Sequence, residues 1–376
     1  MRVYLDNAAT TQIAPEVIDY MAELMKSDYA NPSSIHHGGR KSRILVENAR
    51  KTVSNYLNTS PGNIFFTSGG TEADNMAIRR GILDNNISHA ITSSISHKAV
   101  IYPLEELSDK QKIVLNYIKL DNNGKIDLIH LEDLLKNNPR TFVSIMHANN
   151  EIGTIQPIIE IGDLCKKYNA IFHCDTVQTI AHYPIDLQKI NVDFITGSAH
   201  KFHGPKGVGF IYISDNIDVE PFISGGSQER NMRAGTENVH AIAGLAKAME
   251  LSYENMDNDK EYISQIKKHM INQLKLNIND VQFNANCTDF DSSLFKILSV
   301  SFPKISESEM LLFNLDINGI SCSGGSACSA GNISGSHVLD VVCKDDNRTG
   351  VRFSFSRYNT KEEIDYTVEK IKEIFS

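Results

Sequence analysis

No stretch of this 376-residue chain approaches the roughly 18 consecutive apolar residues that span a bilayer, which argues against a helical membrane protein. The start, Met1-Arg2-Val3-Tyr4-Leu5-Asp6, lacks the basic and apolar regions of a signal peptide. Cysteine pairs at CxxC spacing are absent. Cys165, Cys174, Cys287, Cys322, Cys328 and Cys343 therefore signal neither a zinc site nor a disulfide framework, and no metal is expected. The chain reads as cytoplasmic, with its thiols reduced. Basic excess is missing too: 37 Lys and Arg against 46 Asp and Glu leave a net charge of −9, which disfavours a broad nucleic-acid or anionic-membrane surface. Internal repeats and low-complexity segments are also lacking. What remains is 41% hydrophobic and 22% charged, a globular composition long enough for two domains and suited to small-molecule or protein partners.

Apolar β-like runs at 63–67, 89–92, 112–118, 141–146, 170–174, 192–196 and 208–213 alternate with helix-like runs at 72–84, 97–108, 128–136 and 157–168. This alternation predicts an α/β fold with a mostly parallel sheet covered by helices. Helices are also expected from Pro15 to about Met25 and from Gly38 to Leu57. After Asn238 one long helical stretch to about Leu274 reads as a bridge to a smaller α+β unit. That unit has strands at 297–302 and 351–355 and helices at 306–316 and 360–374. The expected division is a large domain over 14–252 and a small one built from 1–13 and 253–376.

Several stretches carry chemistry. Val192 to Thr196 leads into Gly197-Ser198-Ala199-His200-Lys201, and Gly204, Gly207 and Gly209 precede a second apolar run. A lysine between buried strands is costly unless paired or neutralised, and a Schiff base with a carbonyl compound is one use for it. Phe65-Phe66-Thr67-Ser68-Gly69-Gly70-Thr71 reads as a strand, two glycines and a helix start with Thr71 near the N-cap; it suits an anion or simply a capped helix. Asp175 ends the apolar run from Ala170, at the sheet edge where ligands of open α/β sheets bind. A phosphate cradle, a strand-end aspartate and a strand-end lysine together describe a pyridoxal phosphate site. His97 would stack on the ring or merely cap a helix, Gln178 would reach the ring hydroxyl, and Asn150 sits on a turn after Phe142–Met146. Ser321 to Asn332 has too little bulk to form core, so Cys328 within it suits a nucleophile that must travel; a linker that happens to contain cysteine is the rival. Cys322 adjoins the apolar Ile317–Ile320, which favours an inward-pointing side chain over a second travelling thiol. Arg352 alternates with Val351 and Phe353, placing it to grip a carboxylate or to form a surface salt bridge.

Taken in order, several of these segments resemble the NifS/IscS type of cysteine desulfurase within the class V aminotransferase family. They are Tyr4 to Thr11, Thr67 to Asn75, Met146 to Gly153, Gly197 to Lys201 with Gly204 to Gly207, Met232 to Thr236, and Gly325 to Cys328. The resemblance implies a fold-type-I homodimer using pyridoxal 5'-phosphate, with active sites at the subunit interface. It implies that Lys201 carries the cofactor, His97 stacks on its ring, and Asp175 and Gln178 hold the ring nitrogen and hydroxyl. Gly70, Thr71, Ser198 and His200 would hold the phosphate, together with Thr236 of the partner subunit. Asn150 and Arg352 would hold the amino-acid substrate, and Cys328 would take sulfur from L-cysteine as a persulfide and pass it to an acceptor. An iron–sulfur scaffold is one such acceptor, although the chain stops after one helix-like segment, 361–375, without the longer tail with which some relatives hold it. A selenocysteine lyase, a class V aminotransferase and a catalytically silent sulfur-delivery subunit are the alternatives.

Overall fold

The computed structural model describes residues 1–304, 310–324, 336–343 and 348–375. A two-residue strand β1 (Val3–Tyr4) is followed by helices α1 (Pro15–Ser27) and α2 (His37–Tyr56). The chain then alternates: β2 (Ile64–Thr67), α3 (Gly70–Leu83), β3 (His89–Thr92), α4 (Lys98–Asp109), β4 (Val114–Tyr117), α5 (Leu128–Asn137), β5 (Thr141–Met146), α6 (Ile158–Lys167), β6 (Ile171–Asp175), β7 (Phe194–Ser198) and β8 (Gly209–Ile213). These seven strands form one sheet in the order β2-β8-β7-β6-β5-β3-β4. Neighbours from β7 to β4 run parallel, and β8 is antiparallel to both β2 and β7.

Every residue of β5, β6, β7 and β8 is buried, because helices cover both faces and the strands need no polar side. One face carries a core of Phe65, Met76, Val100, Leu104, Phe142 and Phe194 under α3 and α4. The other is filled by Val17, Val53, Phe172, Phe202, Phe210 and Leu245. The carboxyl ends of β5, β6 and β7 open on the same edge, and a single 3-10 turn, Ala199–Lys201, puts the lysine there directly after β7.

The long helix expected after Asn238 is two, α7 (Val239–Glu254) and α8 (Met256–Asn277). Asn255 separates them, its side chain turning back to donate to the Leu251 carbonyl at 2.8 Å. Such local side-chain bonds compete with the helical backbone, and periodicity does not register them. The apolar residues of α7 join the sheet core, whereas Ile263, Ile266, Met270 and Leu274 of α8 join a separate cluster.

That second cluster lies on a four-stranded sheet ordered β12-β13-β10-β9. Its elements are β9 (Gln282–Phe283), β10 (Ile297–Pro303), α9 (Leu311–Ile317), β11 (Ile320–Ser321), β12 (Ser323–Gly324), α10 (Leu339–Val342), β13 (Arg348–Ser354) and α11 (Lys361–Phe375). The helix expected at 306–316 is described from Leu311 onward, and 305–309 lie outside the described residues. β1 pairs parallel with β11, so Val3 and Leu5 are buried in this cluster although they begin the chain. Among the described residues no helix is long and apolar enough to cross a membrane, and no group of three or more His, Cys, Asp or Glu could hold a metal ion.

Candidate active site

The anion cradle forms where β2 turns into α3. Gly69 has φ +155° and ψ −178°, a backbone conformation essentially confined to glycine, and it caps the helix without a side-chain bond. Thr71, expected near the cap, is the second helical residue instead. The turn is closed by Glu72, which accepts from the Ser68 N–H at 2.8 Å and is held by Arg233 at 2.9 Å. The N–H groups of a first helical turn have no carbonyl of their own, which leaves them for a ligand. A Cβ on Gly70 would lie 2.8 Å from Val177 Cγ2 and 3.6 Å from Ser198 Cβ, so glycine keeps the cradle open.

Beside it lies a cavity of about 380 Å³. Gly70, Thr71, His97, Asn150, Asp175, Gln178, Ser198, His200, Lys201 and Arg352 all line it. Thr236 does not. It is exposed, in the connection from β8 to α7, on a separate cleft with Arg233 and Glu237. Cys328 lies outside the described residues.

The entry segment forms a wall of the site. Lys201 Nζ donates to the carbonyls of Ala8 at 2.7 Å and Ala9 at 2.8 Å. Asp6 accepts from Arg352 Nη2 at 2.8 Å, and Thr11 Oγ1 donates to the His200 carbonyl at 3.0 Å. Small residues without helix or strand periodicity carry no local sign of such a role; only their backbone and short side chains fit there.

Burial sets the electrostatics. Asp175 is pushed up to about 7 by loss of solvent and then by the neighbouring Asp74, despite the Val177 N–H it accepts at 2.9 Å. Asp74 is likewise raised to about 7 by burial, while accepting from Thr196 Oγ1 at 2.7 Å. Its other neighbour, His173, is driven down to about 4 by burial, so this imidazole supplies no compensating cation. Lys201 offsets this only in part, as the least of the causes acting on Asp175, so two buried carboxyls at a cavity edge suit a cationic ligand atom, such as a protonated ring nitrogen. Gln178 donates its Nε2 to the Ala8 carbonyl at 3.0 Å, and its buried Oε1 has no partner among the described residues. That acceptor fits a ring hydroxyl.

His97 both caps α4 and lines the cavity, so the two readings of it coexist. Its Nδ1 accepts from the Ala99 N–H at 3.1 Å, which puts the proton of the neutral ring on Nε2. Burial, then Lys201, lowers it to about 4, keeping the ring neutral near pH 7. Arg352 is buried on β13 with Val351 and Phe353 turned the other way into the core. Its Nη1 donates to the Asn150 carbonyl at 2.9 Å, and its Nε has no partner among the described residues. Cys322 packs against the small core and its thiol is pushed up to about 12, by burial first and Asp6 second. It is a poor thiolate. Glu151, His337, Lys98 and Asp74 also line the cavity. The sequence singled out none of the four as a site residue, because polar residues on turns and helix starts have commoner uses.

The residues present fit pyridoxal phosphate: an open cradle at a helix start, a strand-end carboxyl, an orphaned amide oxygen and a lysine amine converge on one cavity. Comparison with known proteins points the same way. The aminotransferase class-V family model matches residues 3–367. A cysteine desulfurase IscS from Dictyoglomus turgidum is 40% identical over 377 residues, covering 99% of this chain and 94% of that one. A solved NifS-like protein superposes with a TM-score of 0.91 at 38% identity, covering 100% of this chain and 99% of the other. A structure described as SspA in complex with cysteine gives 0.82 at 30% identity, covering 95% of this chain and 100% of that one. The chain belongs to the class-V aminotransferase family, among its cysteine desulfurases.

Proposed function

We propose that this enzyme binds pyridoxal 5'-phosphate in the cavity beside Lys201 and converts L-cysteine to L-alanine, leaving the sulfur on Cys328 as a persulfide. The observation that carries the reading is the convergence of Lys201, Asp175 and the Gly70 cradle on one cavity with Arg352 in its wall. Lys201 would hold the cofactor's aldehyde, Asp175 the ring nitrogen, Gln178 the ring hydroxyl and His97 the ring face. The phosphate would rest on Gly70, Thr71, Ser198 and His200, with Thr236 of the partner subunit completing the cradle. Bound there, the cofactor supplies an electron sink for the substrate's Cα.

The chain's own groups do the rest. Arg352, with an unused Nε, holds the α-carboxylate, and Asn150 positions the amino-acid backbone. Lys201 Nζ removes the Cα proton, and His97 Nε2 exchanges a proton with the substrate thiol. Cys328 as thiolate then attacks that sulfur. The C–S bond breaks, its electron pair stays on the carbon that becomes alanine's methyl group, and an S–S bond forms. One L-cysteine and one thiol give one L-alanine and one persulfide, so no oxidant is consumed.

Sulfur then passes to an acceptor protein for iron–sulfur cluster or thio-cofactor assembly, in the cytoplasm and from a homodimer. Residues 14–252 form the cofactor-binding domain in this reading, and 1–13 with 253–376 the domain that carries Cys328. The test is release of alanine and sulfide from L-cysteine with reductant. The wild type should give equal amounts, and Cys328→Ala below roughly 1% of that alanine. Equal turnover in both would move the assignment to a lyase or aminotransferase with Cys328 as a bystander.

A further inference from the structure

Ser336 stands eight positions after Cys328 in the chain, and it is fastened to the cavity wall. Its hydroxyl donates to Glu151 Oε2 at 2.5 Å and accepts the N–H groups of Val338 and Leu339, each at 3.1 Å. One side chain thus holds the turn that leads into α10 and binds it to the turn after β5. Glu151 is only 6% exposed and lines the cavity, so its carboxyl is held in a place where an unpaired polar group would be costly.

That turn is itself rigidly referenced to the site. The N–H groups of Glu151 and Ile152 donate to Asn149 Oδ1 at 2.8 and 3.0 Å, and Asn149 Nδ2 donates to the Ile95 carbonyl at 2.9 Å. His337 Nε2 donates to the Ser96 carbonyl at 3.1 Å, one residue before His97. Beneath these bonds Ile95, Ile152 and Val338 pack as a buried apolar cluster. At the other end, Gly324 pairs with Val351, next to Arg352. One residue earlier Ser323 pairs with Arg352 itself, so both chain exits of the segment that carries Cys328 are joined to strands or turns that bear residues of the cavity wall.

Resting on the function proposed above, we infer that Glu151 is a positioning residue for sulfur transfer: its bond to Ser336 fixes one exit of the Cys328 segment against the cavity. A merely structural carboxyl would alter stability or cofactor binding. A positioning carboxyl alters the transfer step and leaves substrate binding alone.

The experiment separates these on cofactor-loaded enzyme mixed rapidly with L-cysteine. Substrate binding is read from the change in cofactor absorbance, and transfer from alanine formed in one turnover. Glu151→Ala and Ser336→Ala should each slow alanine formation at least about tenfold while keeping the absorbance change and its half-saturation. Glu151→Gln, which keeps an acceptor for Ser336, should restore it, and the double alanine variant should be no slower than either single. Should Glu151→Ala fail to fold, Ser336→Ala carries the same expectation. Alanine formation within about twofold of wild type in the alanine variants, additive effects in the double variant, or parallel loss of cysteine binding would each overturn the inference. A wild type that makes no alanine would overturn the functional reading first, and this inference with it.

Discussion

Two lysines show how differently a buried amine can be treated. Lys267 is fully buried, but its Nζ donates to the Leu294 carbonyl at 2.9 Å and lies 4.9 Å from the centre of the Phe290 ring. Burial lowers it only to about 8. Lys296 is 2% exposed, and its Nζ has no hydrogen-bond partner among the described residues. Burial, then the Lys201 charge, drives it well below the ordinary lysine range, and His182 and His203 nearby are themselves held neutral. A lysine whose folded pKa is depressed binds fewer protons folded than unfolded. Stability therefore rises with pH up to the unfolded value near ~10.4 and falls as pH drops toward the folded one. Replacing the amine with an apolar chain of similar length removes that loss. Lys296→Met should stabilise the enzyme by on the order of 1–3 kcal/mol, with a larger gain at pH 6.5 than at pH 10, in urea unfolding followed at both pH values. A variant no more stable than wild type at the lower pH would mean that Lys296 has a partner after all.

The element on which the proposed cofactor capture turns is the start of α3. The phosphate site proposed there depends on a helix end, on the Gly69 backbone and on the space beside Gly70, and only the first of these is periodic information. Gly70→Ala would press a methyl group against Val177 and Ser198. We expect roughly tenfold weaker pyridoxal phosphate binding in absorbance titration, because the added carbon occupies the cradle. The apoprotein should lose about 1–3 kcal/mol from the crowding. Unchanged affinity would place the phosphate elsewhere. The same element shows what pattern reading misses. Thr71 looked like a cap because threonine commonly caps, whereas the cap is Gly69 and the side chain closing the turn is Glu72. Asn255 likewise ended a helix that its apolar spacing would have continued.

At the scale of the whole molecule the cavity is assembled from parts far apart in the chain. Ala8, Ala148, Leu294 and Ile297 pack as one small apolar cluster, and Ile95, Ile152 and Val338 as another. Thr236 stands exposed and off the cavity of its own chain, which is consistent with service to a second copy. Thr236→Arg should therefore lower activity through cofactor binding, and Lys201→Ala should abolish it, each as a homodimer. Mixing the two under subunit exchange should restore activity, because one site per heterodimer would combine an intact Lys201 with an intact Thr236. Sedimentation of the wild type should give twice the chain mass. A monomer, or no recovery on mixing, would count against the shared site.

The sequence by itself determined the strand–helix alternation, the mostly parallel sheet and the strand-end placement of Asp175 and Lys201. Apolar periodicity and small-residue turns are local signals that survive without neighbours. It also pointed to Arg352, since alternation along one strand separates a cation from the core side chains beside it. Only the tertiary structure decided that the Ala8 and Ala9 carbonyls receive Lys201, that Asp74 sits against Asp175, and that Glu151 holds Ser336. These contacts join residues 101 to 193 positions apart. Their strength comes from shared burial, a property of the packed molecule that a residue type or its spacing does not carry.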